Sequence, residues 1–497
     1  MKRNLFNLMA IVAIAGATLV ACQPTQEPTD ETNRNWSEDG GLRAADNLLF
    51  GDTIGNGDDE FVFTGTQTLK KGKYLLHGWV YIADGATLTI EPGTVILGDK
   101  DTKASLIVER GGKLYAKGTA SEPIVFTSEQ PKGQRRPGDW GGLILCGRAN
   151  NNQTEQQIEG GPRSKHGGND NADCSGALSY VRVEFAGYPF QTDKEINGIT
   201  LGSVGSSTQI DHVQVSYSND DSYEWFGGTV NCKYLIAFRG WDDDFDTDNG
   251  FSGNVQYGLS VRDSKIADAS QSNGFESDNN AGGTTAEPYT TATFSNMTFL
   301  GPKTFDANFQ NTTDYINGGG MNPENGSSMG KFQAAMHIRR NSRLNCYNSV
   351  AIGWPVGLIL DNEKGNTQEA ATNGLLKLHR IAFAGMDAVG TDFNKIYQDN
   401  LYDYTTKTLD VTKPSFSSTF FNNPANGNIV LDWTATAYNG IASVIAASTS
   451  VGSSLTASFD ELSGNSWFDR VNFVGAFQNG NDWTAGWTNF DPENTVY

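Results

Sequence analysis

Long apolar segments are scarce in this 497-residue chain. Beyond the N-terminus, no window is apolar over the roughly 20 residues that a membrane-spanning helix requires. Positive charge is also scarce: 36 Lys and Arg stand against 57 Asp and Glu, which gives a formal net charge of −21 at pH 7. This balance argues against nucleic-acid binding and against electrostatic adhesion to anionic lipid. It favours cationic partners, divalent ions above all.

Histidine and cysteine are few as well, with five of each. No CxxC or mixed His/Cys spacing indicates a zinc or haem site. Apart from Cys22, four cysteines remain, and they allow three disulfide pairings. The pairing of Cys146 with Cys174 is preferred because both flank one loop-like insert, and the other cysteines are Cys232 and Cys346.

The first 21 residues have the pattern of a signal peptide, with Lys2 and Arg3 ahead of an apolar run. The run ends in LVAC, which resembles a bacterial lipobox. This resemblance implies acylation of Cys22, for example with palmitate, and a lipid anchor in the cell outer membrane, on either face. A soluble secreted protein that is cleaved near the same place is the alternative. Residues 22–59 are expected to hold the lipidated cysteine, a flexible tether rich in Pro, Thr and acids, and an N-terminal cap.

Short β-type segments recur from Val80 onward, and helical periodicity is scarce. Runs such as LSYVRVEFAG and IDHVQVSYS are rich in β-branched and aromatic residues and end in residues that permit sharp turns. Two all-β architectures suit this pattern: an antiparallel sandwich or propeller, and a parallel β-helix. Alternating apolar residues and the scarcity of two-residue Asn-Gly loops favour the β-helix.

Three acidic turns repeat in register, which further favours stacked coils. They read DDSYEW at 220–225, DDDFDT at 242–247 and QSNGFES at 271–277. Their alignment has steps of 22 and 30 residues, as expected for coils of about 20–30 residues with a variable loop. It predicts an interior aromatic column and, beside it, an exterior carboxylate column. The aromatic column is Tyr223, Phe245 and Phe275, and the carboxylate column is Glu224, Asp246 and Glu276.

Several segments resemble pectate-lyase-like right-handed β-helix proteins, particularly lipid-anchored bacterial ones of unassigned activity. They include ATLTIEPGTVIL, GDWGGLILCGRA, INGITLGSVGSSTQIDHVQV and VGAFQNGNDWTAGWTNFDP. The resemblance implies an all-β, single-stranded right-handed parallel β-helix and carries little about activity. The expected boundaries are 1–21 for the signal peptide, 22–59 for tether and cap, 60–400 for the coils, and 401–497 for C-terminal coils with a Trp-rich cap that closes the end of the helix.

The acidic turns predict a cation site, because stacked coils bring like charges within about 4.8 Å of one another. Calcium suits this arrangement best, since it accepts six to eight oxygen ligands in loose geometry. Solvated turns and a catalytic carboxylate cluster remain alternatives. The candidate metal ligands are Asp220, Asp221, Glu224, Asp243, Asp244, Asp246, Asp248, Glu276 and Asp278.

Trp225 and Trp241 are the expected surface aromatics for a sugar ligand, and Arg239 is a basic partner close to the acidic turns. The sequence thus favours a lipid-anchored binding or accessory protein for polysaccharide or another nutrient polymer, with a structural cation and a candidate outer-membrane transport partner. A polysaccharide lyase or glycoside hydrolase is the first alternative. The absence of a Gly-His-Gly element speaks against a polygalacturonase-like hydrolase. A structural or adhesive surface protein is the second alternative.

Overall fold

The computed structural model describes residues 45, 47–153, 156–158, 163–191, 194–317, 319–393 and 398–497. These residues form a right-handed parallel β-helix, which confirms the expected fold class. The expected signal peptide and Cys22 lie outside the described residues. Within the described part, no helix has the length and apolarity needed to cross a membrane.

Three parallel sheets run along the helix. Sheet 1 has eleven strands: Phe61–Phe63, Trp79–Ile82, Ser105–Val108, Gly142–Cys146, Ile199–Gly202, Tyr223–Phe226, Phe245–Asp248, Phe275–Ser277, Ala334–Ile338, Val356–Leu360 and Ala388–Thr391. Sheet 2 includes Thr66–Leu69, Thr87–Ile90, Lys113–Lys117, Thr293–Ser295, Asn345–Tyr347 and Lys377–His379. Sheet 3 includes Thr53–Ile54, Lys73–Leu76, Val95–Gly98, Ile124–Ser128, Thr298–Leu300, Val350–Ile352, Ala382–Ala384 and Ile429–Leu431.

Four long strands pass from sheet 2 into sheet 3 through a sharp bend: Gly176–Glu184, Gln209–Ser216, Asn231–Phe238 and Asn254–Val261. One residue at each bend has a left-handed backbone, with φ between 51° and 64°. These residues are Tyr180, His212, Tyr234 and Tyr257. Their rings stack at centroid distances of 4.3, 4.4 and 4.8 Å, so contacts between rings accompany a backbone that is unusual for bulky residues.

Alternation along each strand sends one set of side chains into a continuous apolar interior. The predicted aromatic column lies there: the rings of Tyr223 and Phe245 stack at 5.5 Å, and Phe275 follows at 6.2 Å from Phe245. All three side chains are buried. The interior position of this column is therefore confirmed.

The outer face of sheet 1 is covered by apolar contacts over its first coils. Tyr81, Ile107, Ile144 and Cys146 pack there against Ile158 of the insert between Gly142–Cys146 and Gly176–Glu184. A short hairpin of Pro189–Gln191 and Lys194–Glu195 lies beyond this insert. The described part of the insert does not cover the central coils, and the outer face of sheet 1 is polar there.

Residues 441–497, called the strap here, run back along the outside of sheets 2 and 3. The strap begins with helix Ile441–Gly452 and contacts the coils in reverse order. Three side-chain amides each bond both peptide groups of one strap residue: Asn348 pairs with Ser458, Gln256 with Asp469 and Gln214 with Asn489, at 2.7–2.9 Å. A second apolar cluster is buried beneath the strap.

The end of the helix is covered by the short helix Phe416–Phe421, not by the strap. Phe421 stacks on Phe383 of the last coils at 3.9 Å, and both carboxylate oxygens of Asp392 accept N–H groups of the first turn at 2.6 and 2.8 Å. Trp483 and Trp487 belong to the Trp-rich segment 401–497 that was expected to close this end, but they pack along the side of the helix. The remaining short elements are Leu49–Phe50, the helices Thr313–Ile316 and Thr367–Thr372, the hairpin Leu401–Asp403 with Thr408–Asp410, and the turns Pro424–Asn426 and Pro492–Asn494.

The preferred disulfide pairing is wrong, because Cys146 is a free thiol. It lies on the outer face of sheet 1, where the insert buries it completely. Cys232 and Cys346 are also free and buried. Burial raises the pKa of Cys346 to about 12, which keeps this thiol protonated and unreactive.

Candidate functional site: an acidic cleft on sheet 1

A single outward column crosses all eleven strands of sheet 1 and changes character along the way. In strand order it contains Val62, Tyr81, Ile107, Ile144, Thr200, Glu224, Asp246, Glu276, His337, Ile359 and Thr391. The apolar positions at the start are covered by the insert, whereas the three carboxylates stand on adjacent strands. The predicted carboxylate column is therefore confirmed in register.

The turns before these strands hold a second polar column. The backbone N–H of Asp243 donates to Asp221 Oδ1 at 2.8 Å, and the N–H of Asn273 donates to Asp243 Oδ1. The N–H of Ala334 in turn donates to Asn273 Oδ1 at 3.0 Å. Each side chain thus fixes the turn of the next coil, which aligns the acidic turns.

The two columns line one cleft with a volume of about 350 Å³. Nine carboxylates and two guanidinium groups face it. The lining residues are Asp220, Asp221, Glu224, Phe226, Asp242, Asp243, Asp246, Asp248, Ser270, Gln271, Glu276, Asp278, Ala281, Gln333, His337, Arg339 and Arg340. Negative charge dominates a concave, partly desolvated surface, which raises the local concentration of cations.

The N-terminal half of the cleft, from Asp220 to Asp246, contains two overlapping groups of three carboxylates. One is Asp220, Asp221 and Asp242, and the other is Asp221, Glu224 and Asp246. Within each group the ligand oxygens lie within 4.8 Å of one another, so these clusters can hold a metal ion. Asp221 belongs to both groups. Asp242 Oδ1 and Asp246 Oδ1 are buried oxygens that accept no hydrogen bond from the part of the chain that the structure describes.

Ionisation is costly in this half of the cleft. Burial, followed by repulsion from neighbouring carboxylates, raises the pKa of five groups well above the ordinary range. These are Asp221, Glu224, Asp242, Asp243 and Asp246. The same causes raise the pKa of Asp248 to about 7.

The C-terminal half of the cleft is neutralised by the protein itself. Arg339 donates to Glu276 and, at 2.9 Å, to Asp278, while Arg340 Nη1 donates to Asp278 at 2.6 Å. Burial opposes ionisation of Glu276, but the Arg339 guanidinium and His337 outweigh it and lower the pKa of Glu276 to about 2.

His337 ends the charged part of the column. Its imidazole is almost fully buried, with Nδ1 3.5 Å from Glu276 and Nε2 3.5 Å from Asp361. Burial favours the neutral ring, yet the carboxylates of Asp361 and Glu276, which face its two nitrogens, raise the pKa of His337. The imidazole therefore adds positive character to the half that already holds Arg339 and Arg340.

Comparison with known protein families matches residues 62–438 to the pectate-lyase-like β-helix domain. The chain belongs to this family. No curated protein and no solved structure matches it. Membership in the pectate-lyase-like β-helix family agrees with the parallel sheets and confirms that part of the expected resemblance.

Within this pectate-lyase-like framework, eight of the nine predicted metal ligands line the cleft. The exception is Asp244, whose side chain lies outside the cleft and is fully buried. It accepts hydrogen bonds from Ser260 Oγ and, at 2.9 Å, from Arg262 Nη1. The prediction is wrong for Asp244 because its carboxylate is already held in an internal ion pair.

The expected surface positions of Trp225 and Trp241 are also wrong. Trp225 stacks on Phe251 at 5.3 Å in the interior, and Trp241 is buried in the cluster beneath the strap. Arg239 lies away from the cleft, where it contacts Tyr217 at 3.0 Å and Asp263 at 3.4 Å. None of the three lines the cleft.

Sequence reasoning missed Asp242, His337 and the cleft position of Arg339. Asp242 stands inside the acidic stretch WDDDFDTDNG, so the signal for it was present. His337 and Arg339 could not be placed from the sequence, because a long insert separates the strand Phe275–Ser277 from the strand Ala334–Ile338. The sequence therefore does not show that Glu276 pairs with His337.

Proposed function

We propose that the protein binds a divalent cation, best matched by calcium, in the N-terminal half of the acidic cleft. The observation that carries this proposal is the pair of carboxylate groups that share Asp221, with ligand oxygens within 4.8 Å. Each close pair of ionised carboxylates costs about 1 to 3.5 kcal/mol at this separation. A bound cation offsets this repulsion on two successive coils at once. Carboxylate oxygens in loose geometry are the ligands that calcium accepts.

Calcium titration of the purified protein tests the proposal. Isothermal titration calorimetry is expected to show saturable binding, and the melting temperature is expected to fall in chelator. Asp221→Asn should weaken binding most, because Asp221 serves both groups, and Asp246→Asn should reproduce most of the chelator effect. Asp387→Asn is the matched control, since Asp387 pairs with Lys303 on the exposed surface. An absence of calcium binding, with identical melts in calcium and chelator, would refute the proposal.

We further propose that the loaded cleft binds an acidic polysaccharide through the cation. Phe226 is the single aromatic residue among those lining the described cleft, so a neutral sugar finds little surface for stacking. A uronic acid carboxylate, in contrast, can complete the coordination of a protein-bound calcium. Affinity electrophoresis in acidic and neutral glycans should show retardation in acidic glycans with calcium and none with chelator. Calcium-independent retardation in neutral glycans would contradict this.

The geometry favours binding over catalysis. A lyase of this type needs an Arg or Lys that can act as a base. In the described cleft, Arg339 and Arg340 are both ion-paired, and the pKa of Arg339 is raised despite burial, because Glu276 and Asp278 stabilise its charge. Unsaturated or shortened products after incubation with glycans would establish the enzyme alternative, and silence in every glycan assay would favour a structural role.

We also propose that the chain is anchored in the outer membrane through an acylated Cys22, as the LVAC sequence implies. One acyl chain gives only marginal anchoring, so stable attachment requires the multiple chains of a bacterial lipoprotein. Metabolic labelling with a palmitate analogue should label the protein and should fail for Cys22→Ala. Equal labelling of both would refute the anchor. An outer-membrane transport partner would be sought by crosslinking the anchored protein.

A further inference from the structure

Both halves of the described cleft are lined by carboxylates, but only in the C-terminal half do guanidinium groups of the protein neutralise them. Glu224, Asp246 and Glu276 occupy the same position on three adjacent strands. Asp248 follows Asp246 by two residues, and Asp278 follows Glu276 by two residues. By stacking alone, a cation would fit between Asp246 and Glu276 as well as between Glu224 and Asp246.

In the C-terminal half of the cleft, the guanidinium of Arg339 takes the place that a cation would otherwise fill. Its guanidinium bonds Glu276 and Asp278 together, and only 22% of its side chain is exposed, against 15% for Glu276 and 6% for Asp278. Partly desolvated, charge-assisted pairs of this kind are stronger than surface pairs. Their oxygens are therefore already engaged, and an approaching divalent ion would meet a fixed positive charge.

We infer that Arg339 acts as a built-in counter-cation that confines the exchangeable ion to the N-terminal half of the cleft. This inference rests on the proposed cation binding. Arg339 touches the carboxylates that would otherwise be ligands, so it is a positioning residue that determines how many ions the cleft takes. Without its guanidinium, Asp246, Asp248, Glu276 and Asp278 would face one another with Arg340 as the remaining guanidinium of the described cleft. That set of oxygens matches a further calcium site.

Calcium stoichiometry, measured by equilibrium dialysis on the full chain, tests the inference. Arg339→Met is expected to bind one more calcium per chain than the wild type. Arg339→Lys restores the positive charge and should return the wild-type number. Arg343→Met is the matched control, because Arg343 lies over the Tyr289 ring, 3.3 Å from its centroid, and does not line the cleft. An unchanged stoichiometry in a folded Arg339→Met protein overturns the inference.

Two further variants keep the test decisive if Arg339→Met does not fold. Arg339→Gln retains a hydrogen-bond donor and should show the same gain of one calcium. The double variant Glu276→Gln/Arg339→Met removes both partners and should keep the wild-type number, whereas loss of calcium binding in it would identify Glu276 as a ligand and overturn the inference. If the wild-type protein binds no calcium, the proposed function itself is refuted. If the wild-type protein binds calcium but the Arg339→Met and Arg339→Gln variants bind no additional ion, only the inference about Arg339 is refuted.

Discussion

Asp243 and Asp244 are neighbours with the same side chain, yet the fold uses them differently. Asp243 holds the turn of the next coil and faces the cleft, whereas Asp244 turns away and pairs with Arg262 in a fully buried contact. Arg262 also donates to the carbonyl oxygens of Trp241 and Asp242, at 3.1 and 2.7 Å. The guanidinium therefore secures the corner from which the acidic turn projects.

Arg262→Met should destabilise the protein by about 3–5 kcal/mol, because it leaves the buried Asp244 carboxylate without a counter-charge. Urea unfolding followed by circular dichroism measures this loss. Adding Asp244→Asn to Arg262→Met should recover part of it, since the uncompensated charge is then removed. Lys413→Met, at an exposed ion pair, should change stability by less than about 1 kcal/mol. Equal effects of Arg262→Met and Lys413→Met would contradict the assigned role.

At the scale of strands, sequence alignment of the turns predicted the register of the central coils because each repeats an aromatic residue followed by an acid. Tyr223, Phe245 and Phe275 pair as aligned, and so do their acidic neighbours. The same alternation places Trp225 in the interior, because it follows the interior residue Tyr223 by two positions on the same strand. The expected surface position of Trp225 did not take this alternation into account. Asp244 does not follow the inward and outward alternation, because it precedes the strand Phe245–Asp248 and lies in the corner.

The strands that carry the cleft should also give the cation-free protein a characteristic pH dependence. The pKa of Asp248 is about 7 in the folded chain against an ordinary 3.8, because burial and Asp278 disfavour its charge. A raised carboxyl pKa contributes stability that is fully present below the unfolded value and is lost as pH rises through the folded value. The raised pKa values of Asp221 and Glu224 act in the same direction.

In chelator, the melting temperature should therefore fall as the pH is raised from 5 to 7.5, and saturating calcium should reduce this slope. Glu276 does not oppose the trend in this range, since its pKa of about 2 places its own effect at lower pH. Differential scanning fluorimetry across the pH series measures both curves. Asp248→Asn should flatten the chelator curve in part. A chelator curve that is level between these pH values would contradict the assignment.

At the scale of the whole molecule, the strap joins coils that are far apart in the chain. Its backbone groups bond the side chains of Gln214, Gln256 and Asn348, and its apolar side chains pack against the coils in the cluster beneath it, so backbone path and side chains together hold the strap. Sequence analysis could not foresee this path. The tryptophans of the strap indicate burial but do not say against which surface, and the amides that bind it look like ordinary polar strand residues.

Gln256→Ala should loosen the strap, because both peptide groups of Asp469 lose their partner in a partly buried position, at a cost of about 1–3 kcal/mol. Gln214→Ala should act in the same way at Asn489. Limited proteolysis should cut within 441–497 faster in both variants than in the wild type. Gln310→Ala, on the exposed insert, is the matched control. Unchanged cleavage rates would show that the amides do not hold the strap.

The reversed course of the strap sets an order for maturation. Arg135 and Arg182 bond strap carbonyl groups at Pro492 and Trp487, which follow them by 357 and 305 residues. A ribosome or an export channel delivers the early turns of the solenoid long before the segment that shields their flank. The apolar surface of these turns therefore stays exposed until the strap has been made, and docking of the strap then joins early and late parts of the described chain in one step.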